Sequence, residues 1–313
     1  MPSLEDRNKA LVLRLKDEVS SKGRFEVMDE IAVRGFRPRR QAVHNLAQNA
    51  RDQGFPEAGH QMRKAIPDRV DHIESIVAEG EHVGMRWRVK GTHEGNLFGI
   101  PATGRPIDIQ SIGVFRCENG LIAQAWFMAD EIALLKQLGT GLPRRKDGKR
   151  VVTPTMGTGE DPAALLAKLA AKPADTDQAR NKIAAVRDKV ERDPAARARL
   201  HAPGYRHLRW GMQHMNDYGR AKGTGHLNPG VAFPNRADRI DCLIAEGDTV
   251  WMHFKLTGTH TGSYFGHPPT GARVEMAEVG IFQYKDGLKG EEWFFGDELG
   301  LLQQMGAEHL LLP

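Results

Sequence analysis

The sequence predicts an α+β protein built from two tandem domains of the same fold. Three observations predict it: a long internal repeat, a helix-then-strand order in each copy, and a size and composition that suit two globular domains. The chain has 313 residues and 40% of them are hydrophobic, so each half has enough apolar residues for a core of its own.

The internal repeat is the strongest of these signals. Residues 79–139 align on residues 246–306 without a gap, at a shift of 167 residues. Solenoid repeats run at about 20–50 residues, so a period this long indicates a duplicated domain. The residues kept in both copies are mostly Gly, Pro, Trp, His and Asp. The pairs that can carry chemistry are His93/His260 and Asp130/Asp297.

Helices come first in each copy. In the first copy, Asn8 to Val19 spaces its apolar residues as one face of an amphipathic helix does, and a second helical stretch follows near Arg40 to Gln53. From Arg69 the pattern changes to short strands bounded by turn residues. The predicted strands are 73–77, 83–89, 107–116 and 121–129.

The last two strands of each copy form a hairpin. Asn119-Gly120 in the first copy and Asp286-Gly287 in the second are the residue pairs typical of a two-residue hairpin turn. A short helical turn, 134–139 in the first copy, then ends at a glycine. Helices followed by an antiparallel sheet make an α+β plan.

The segment between the copies is predicted to be a linker. Thr140 to Thr176 is rich in Gly, Pro, Lys and Arg, and within it Asp161-Pro162 starts an alanine-rich stretch that can form a short helix. The predicted domain boundaries are therefore 1–139, 140–176 for the linker, and 177–313.

Composition excludes several classes of protein. The net charge of +4 is modest, and the basic cluster of the linker is interpreted as a solvated charge run, so no nucleic-acid partner is expected. The first residues lack the basic-then-apolar order of a signal peptide, and no apolar run nears the roughly 20 residues of a membrane helix. Cys117 and Cys242 are not equivalent in the two copies, which favours a reducing, cytoplasmic setting.

Several motifs carry a family resemblance. They are Gly91-Thr92-His93-x-Gly95-x-x-x-Gly99-x-Pro101-x-Thr103-Gly104, Trp126-x-x-x-Asp130, and Leu134-Leu135-x-Gln137-Leu138-Gly139, each with a counterpart in the second copy. In combination they resemble the SnoaL-like polyketide cyclases, or ester cyclases, of the nuclear-transport-factor-2-like superfamily. The resemblance implies a bent antiparallel sheet that the helices wrap into a cone, with a pocket for a small apolar molecule at its open end.

The resemblance also implies cofactor-free acid–base catalysis. The family's proposed general acid/base is the Asp of the Trp-x-x-x-Asp segment, which is Asp130 here and Asp297 in the second copy. Trp126 lies on the same strand face as Asp130, and Trp293 on the same face as Asp297, because every second residue of a strand points the same way. We therefore expect the tryptophans to line the pocket and to desolvate the carboxylate, which would raise its pKa. The alternative interpretation is that each Asp caps the helix that follows it.

A second carboxylate is predicted near each of these. If the hairpins are centred on Asn119 and Asp286, Asp108 faces Asp130 and Glu275 faces Asp297 across the strands. Two carboxylates in one pocket would have different pKa values and could act as acid and base. A register slip of one residue would instead turn the second carboxylate to the other face.

Four histidines are candidates for the pocket. His93 and His260 lie in equivalent Gly-Thr-His settings, where they could bind a substrate oxygen or tie down a glycine-rich loop. His207 and His267 occur in the second copy alone; the first copy has Pro38 and Ile100 there. The second pocket is therefore predicted to be the more polar one and to bind its ligand more tightly.

The sequence thus predicts a cofactor-independent acid–base enzyme of the cyclase, isomerase or hydrolase kind, acting on an apolar carbonyl-bearing molecule. A non-catalytic small-molecule binding or scaffolding protein is the alternative. Neither a metal nor an organic cofactor is expected, because phosphate-loop, nucleophile-elbow and zinc-protease motifs are lacking. The linker, with a span of roughly 30–40 Å, predicts an intramolecular pseudo-dimer through the two sheets, which could form a homodimer in turn.

Overall fold

The computed structural model describes residues 1–36, 39–40, 58–141, 159–209, 220, 223 and 229–311. In each half, helices come before the four long antiparallel strands, and one short helix follows the last of these strands. The predicted α+β class is therefore confirmed.

The first domain contains short helices and one sheet. Its helices are α1 (Leu4–Arg14), continued by a π-helical stretch (Leu15–Ser21), a 3-10 turn (Phe25–Val27), α2 (Met28–Ile31), α3 (Ala58–Ala65) and α4 (Glu131–Leu138). Its strands are β1 (Arg39–Arg40), β2 (Val70–Glu79), β3 (His82–Thr92), β4 (Pro106–Glu118) and β5 (Leu121–Ala129).

The second domain repeats this order. Its helices are α5 (Pro162–Ala170), α6 (Asp177–Val190), α7 (Pro194–Ala198), α8 (Pro229–Ala232) and α9 (Glu298–Met305), followed by a 3-10 turn (Glu308–Leu311). Its strands are β6 (His201–Arg209), β7 (Ala237–Glu246), β8 (Thr249–Thr259), β9 (Arg273–Lys285) and β10 (Leu288–Gly296).

Each sheet has five strands among the described residues, in the orders β1-β5-β4-β3-β2 and β6-β10-β9-β8-β7. In each sheet three of the four neighbouring strand pairs are antiparallel, whereas the edge strand, β1 or β6, pairs in parallel. The sequence did not predict this edge strand, because β1 has two residues and β6 contains Pro203 and Gly204, which argue against a strand. Arg40, the start of the second predicted helix, lies in β1, and residues 41–53 lie outside the described residues.

The hairpin turns form as predicted. Asn119 and Gly120 have φ angles of 51° and 76°, and Asp286 and Gly287 have 52° and 76°. A two-residue turn with positive φ at both positions matches the right-handed twist of the flanking strands, and Asn, Asp and Gly tolerate that conformation best. The same turn therefore connects the last two strands in both copies, and the pairing then shifts between Arg116 and Cys117 in the first copy and between Lys289 and Glu291 in the second.

Each sheet has an inner face and an outer face. The inner face is covered by the N-terminal helices of the same domain: Val12 of α1 shares a core with Phe127, and Val186 of α6 shares one with Phe294. The outer faces of the two sheets meet each other in a third core. That core contains Val77, Ile112, Val114 and Met128 from the first domain and Ile244, Trp251, Val279, Ile281 and Phe295 from the second.

The contacts at the edge of this shared core are reciprocal. Glu79 accepts a hydrogen bond from the backbone N–H of Ala245 at 2.9 Å, and its counterpart Glu246 accepts one from Ala78 at 2.8 Å. Lys182 forms an ion pair with Glu79, and Lys9 forms the same pair with Glu246. Equivalent residues therefore exchange roles across an approximate two-fold axis. We propose that this pairing is the intramolecular pseudo-dimer of the protein in solution.

One contact on the axis breaks the symmetry. Gly84 and Trp251 are equivalent positions of the repeat, and they face each other across the outer faces. A Cβ atom added at Gly84 would lie 2.6 Å from the indole of Trp251, so the glycine leaves the space that the indole fills. The two halves are thus complementary in shape at this point: Gly84 of the first domain leaves a space, and the indole of Trp251 of the second domain fills it.

The second half of the predicted linker packs on the second domain. Asp161 caps α5 by accepting hydrogen bonds from the N–H groups of Ala163 and Ala164, as the sequence predicted. Leucines of α5 pack on the core beneath α6, and Glu160 pairs with Ile240 of β7. Within the described ranges, no helix has the length and apolar character needed to cross a membrane.

Candidate functional site

The two tryptophans predicted to line the pocket lie on the outer faces. Trp126 pairs with Val114, a residue of the core between the sheets, while its neighbour Phe127 faces inward. Trp293 packs against the same core, and the guanidinium of Arg86 from the first domain lies 5.6 Å from its ring centre. The alternation along the strand was predicted correctly, but this face meets the other domain and is not the helix-covered face.

Asp130 and Asp297 are helix caps. The Asp130 carboxylate accepts a hydrogen bond from Ala133 N at 2.8 Å at the start of α4, and Asp297 accepts one from Gly300 N at 2.9 Å at the start of α9. Both residues are buried. This geometry matches the cap interpretation of the repeated Asp, and it accounts for the recurrence of the residue without a role in catalysis.

The cap interpretation makes a measurable prediction for Asp297→Asn. Because Asn caps a helix about as well as Asp, we expect the free energy of unfolding to fall by no more than about 1 kcal/mol and any activity to persist. Urea unfolding and an activity assay on the same preparation check both parts. Loss of activity with the fold intact would restore Asp297 to the acid/base role.

The predicted pairing of carboxylates across the hairpin is wrong. The backbone N–H of Asp130 bonds the carbonyl of Gln110, not that of Asp108, and Asp297 bonds Ala277, not Glu275. A shift between Arg116 and Cys117 moves the register from the one that the turn alone implies. Each acidic side chain instead lies beside a cation of the next strand.

Asp108 lies 2.9 Å from the guanidinium of Arg88, and Glu275 lies 3.2 Å from the ammonium of Lys255. Their backbone N–H groups bond the equivalent side chains Gln137 of α4 and Gln304 of α9. In both domains this position fastens the closing helix to the sheet.

His93 and His260 tie down the loop that follows the second long strand. Their Nδ1 atoms lie 3.0 Å and 2.9 Å from the hydroxyls of Thr103 and Thr270, and both rings are buried. Burial lowers the pKa of both imidazoles. His267 stacks on His260 at 5.6 Å between ring centres and binds the carbonyl of Met305. These contacts match the loop-fastening alternative for the equivalent pair.

His207 is the candidate that the structure places on the inner face of the second sheet. It lies beside Glu292 of β10, with Nδ1 2.6 Å from Oε1, and its ring centre is 5.4 Å from that of Phe294. Its side chain is about half exposed. His207 is thus a histidine with a carboxylate partner and an accessible edge.

A second group of charged side chains on this inner face was not predicted. Arg209 of β6 contacts Glu278 of β9 and lies 3.1 Å from Glu298, the first residue of α9. Glu278 is also 3.8 Å from Arg236, and a similar pattern of Arg236, Asp238 and Lys189 continues the network toward β7. The inner face of the second domain therefore has three cations near three carboxylates. The cations are Arg209, Arg236 and Lys189, and the carboxylates are Glu278, Glu298 and Asp238.

Part of this network recurs in the first domain and fastens helix to sheet. Lys16 lies 3.7 Å from Asp71 and 3.3 Å from the ring centre of Trp87; Lys189 lies 2.9 Å from Asp238 and 3.3 Å from the ring centre of Phe254. In both copies, therefore, a lysine of the N-terminal helical segment contacts a carboxylate and an aromatic ring of the sheet, and this contact holds the helix on the sheet. The pair of Glu278 with Glu298 does not recur, because Ser111 takes the place of Glu278.

Of these two glutamates, Glu298 has the raised pKa of a buried acid. Burial raises the pKa of Glu298 to about 8, and the nearby charge of Glu278 acts in the same direction, although Arg209 opposes both. Both oxygens of Glu278 and Oε2 of Glu298 are buried, and in the described part of the chain these atoms make ion pairs or none, outside hydrogen-bond geometry. A carboxylate oxygen has two lone pairs, so these atoms retain the capacity to accept a hydrogen bond from a ligand.

The sequence contained a signal for one of these residues. Glu131 and Glu298 directly follow the repeated aspartates and are also identical in the two copies, but the Trp-x-x-x-Asp motif contains only the aspartates. Glu278 and Arg209 had no such signal, since Glu278 is Ser111 in the first copy and β6 falls outside the gap-free repeat. Among the residues that the structure describes, no group of three or more His, Cys, Asp or Glu is arranged to hold a metal ion.

Comparison with known proteins identifies relatives of both halves. The family model of SnoaL-like polyketide cyclases matches residues 10–138 and 184–305. Three similar solved structures are IdmH from Streptomyces antibioticus (24% identity, TM-score 0.35, covering 42% of this chain and 99% of that chain), a SnoaL-like polyketide cyclase from Agrobacterium tumefaciens strain C58 (18%, 0.33, 44% and 100%) and TsrD from Streptomyces laurentii (23%, 0.29, 47% and 96%). No curated protein matches the chain.

Proposed function

The chain belongs to the SnoaL-like polyketide cyclase family, and we propose that its second domain is a cofactor-independent acid–base enzyme acting on an apolar molecule that bears a carbonyl group. The observation that carries this proposal is the buried pair Glu278 and Glu298, which share Arg209 on the inner face. Aromatic side chains of the same face, Phe254 and Phe294, provide the apolar surroundings that such a ligand needs.

In the proposed reaction the two glutamates have different tasks. Glu298, whose pKa is raised to about 8, keeps its proton near neutral pH and donates a hydrogen bond to the carbonyl oxygen. Glu278, between two guanidinium groups, is the charged partner and removes a proton from the carbon next to the carbonyl. As Glu278 takes this proton, Glu298 gives its own proton to the oxygen, and an enol forms. The enol then takes the proton of Glu278 at a different carbon, which gives isomerisation, or its carbon attacks a second carbonyl whose oxygen takes that proton, which gives ring closure. In both cases the O–H proton of the enol returns to Glu298 as the carbonyl re-forms.

Proton exchange at the carbon next to a carbonyl tests this step without knowledge of the natural substrate. We expect the protein in D2O to accelerate deuterium uptake by 2-tetralone, an apolar bicyclic ketone, measured by proton NMR. Glu278→Gln and Glu298→Gln are expected to lower the enzymatic rate by about 10²-fold or more, since general acid–base catalysis contributes 10²–10⁴-fold.

The repeat supplies the matched control. Glu131→Gln changes the equivalent residue of the first domain, and we expect the exchange rate to stay at the wild-type value. A wild-type rate equal to that of the buffer, or equal rates for Glu278→Gln and wild type, would refute the proposal.

For the first domain we propose binding without chemistry, the alternative that the sequence left open. At three inner-face positions Ser111, Ile122 and Ala125 replace Glu278, Lys289 and Glu292, and two of the three replacements are apolar. This domain has the inner face of a small-molecule or scaffolding module.

A further inference from the structure

A second cluster of polar side chains lies at the β6 edge of the inner face in the second domain. Glu292 is at its centre: its Oε1 accepts a hydrogen bond from the Tyr205 hydroxyl and lies 2.6 Å from Nδ1 of His207. Its Oε2 accepts from the ammonium of Lys289, which also donates to Asp188 of α6. Four side chains from three elements thus converge on one carboxylate or its lysine partner.

These contacts keep Glu292 charged. Burial alone would raise the pKa of its carboxyl, but the hydrogen bond to His207 and the charge of Lys289 hold the pKa well below its usual range. The hydrogen bond to Nδ1 fixes the orientation of the imidazole and leaves Nε2 as the ring nitrogen that can accept a proton. Within the described part of the chain, Nε2 of His207 makes no hydrogen bond. A carboxylate on one imidazole nitrogen, with the other nitrogen able to take a proton, is the arrangement of an acid–base histidine.

The first domain shows that the fold does not need this cluster. At the equivalent positions it has Leu15, Phe36, Ile122 and Ala125 in place of Asp188, Tyr205, Lys289 and Glu292. The same helix and strands pack there around an apolar core. Because a buried ion cluster is often no more stable than apolar residues of similar volume, its presence in the second domain alone favours a functional role.

Solvent exposure differs strongly between the members of this cluster. Glu292 and Lys289 are each 1% exposed, whereas the side chain of His207 is 49% exposed. His207 lies against the ring of Phe294, and the guanidinium of Arg209 lies 5.5 Å from the centre of the same ring. His207 and Arg209, the arginine that Glu278 and Glu298 share, therefore both lie beside one aromatic side chain.

We propose that His207 and Glu292 form an acid–base dyad that binds the acidic hydroxyl of an enol or phenol on the inner face of the second domain. The hydroxyl proton passes to Nε2 of His207, and the ligand oxygen becomes an anion. The imidazolium is stabilised by Glu292, and the oxyanion faces the imidazolium and Arg209. The inference rests on the proposed function, because an enol is the intermediate of that reaction and a phenol is the product of an aromatising ring closure.

Binding of 4-nitrophenol to the full chain tests the dyad separately from catalysis. The ionised form of this phenol absorbs at longer wavelength than the neutral form, so a titration reports affinity and protonation together. We expect wild type to bind it as the phenolate and to lower its apparent pKa. His207→Gln and Glu292→Gln are each expected to weaken binding by roughly tenfold or more, because hydrogen bonds to charged groups are the strong ones. His72→Gln, at an exposed histidine of β2, is expected to bind as wild type does.

The outcomes separate the two proposals. Absence of binding to wild type, or equal affinity in wild type and His207→Gln, overturns the dyad, whatever the rate of 2-tetralone exchange. Binding that depends on His207 and Glu292 together with no exchange supports the dyad and refutes the acid–base enzyme. If Glu292→Gln binds the phenolate as tightly as wild type while His207→Gln does not, then Glu292 neither orients His207 nor stabilises its imidazolium, and the dyad is overturned.

Discussion

Replacing Trp251 by alanine is expected to lower the free energy of unfolding by about 3–5 kcal/mol, the usual cost of removing a large buried aromatic side chain. Trp251 is 1% exposed and belongs to the core between the two sheets. If each domain folded without its partner, this side chain would lie on an open surface and its loss would cost little. Urea unfolding, followed by tryptophan fluorescence and circular dichroism together, measures the effect.

The glycine opposite provides the control. Gly84→Trp alone is expected to destabilise the chain by overpacking, since the indole of Trp251 already fills the space. Combining Gly84→Trp with Trp251→Gly moves the indole to the other side of the interface, and this double variant is expected to be more stable than either single variant. A cost below about 1 kcal/mol for Trp251→Ala would show that the sheets do not pair in solution.

The second large effect is expected at Lys289. Changing it alone to isoleucine, the residue of the first domain, leaves the buried carboxylates of Asp188 and Glu292 without their shared cation. Breaking a buried ion pair in this way costs about 3–5 kcal/mol. Thermal or urea unfolding of the single variant gives the number.

Exchanging four members of the group together should remove that cost, because Arg197 and His201, which also contact Asp188, and His207 are all partly exposed and can turn to solvent. A fourfold variant, Asp188→Leu, Tyr205→Phe, Lys289→Ile and Glu292→Ala, gives the second domain the residues of the first at these positions. Because apolar replacement of a buried ion cluster is often neutral or stabilising, we expect unfolding close to that of wild type, together with loss of 4-nitrophenol binding. A fourfold variant as unstable as Lys289→Ile would mean that the cluster stabilises the fold.

The sequence predicted the features that local pattern determines. The repeat defined two copies, and the positive-φ pairs Asn119-Gly120 and Asp286-Gly287 marked the hairpins where they form. Strand alternation correctly grouped Trp126 with Met128, but alternation cannot tell which of two buried faces is covered by helices and which by another sheet. Both faces of these sheets are buried, so the usual polar-out signal was missing.

The candidate site was harder to predict for two physical reasons. Register depends on the shift near Arg116 and Cys117, which the turn sequence does not encode, and a two-residue error moved Asp108 away from Asp130. The charged residues of the inner face, such as Arg209 and Glu278, come from strands distant in sequence and recur only partly in the repeat. A candidate that the repeat did suggest, His207, was found through its difference from Pro38 and not through conservation between the copies.

Gly84 and Trp251 also bear on how a duplicated gene can evolve. A pair of identical first halves would set glycine against glycine and leave a void on the axis, while a pair of identical second halves would set two indoles in the space of one. Neither half is therefore self-complementary at this point. The interface favours pairing of the two unlike halves over pairing of two like ones, so separating the copies into two genes would cost each its matching outer face, whereas the inner faces are not under this constraint.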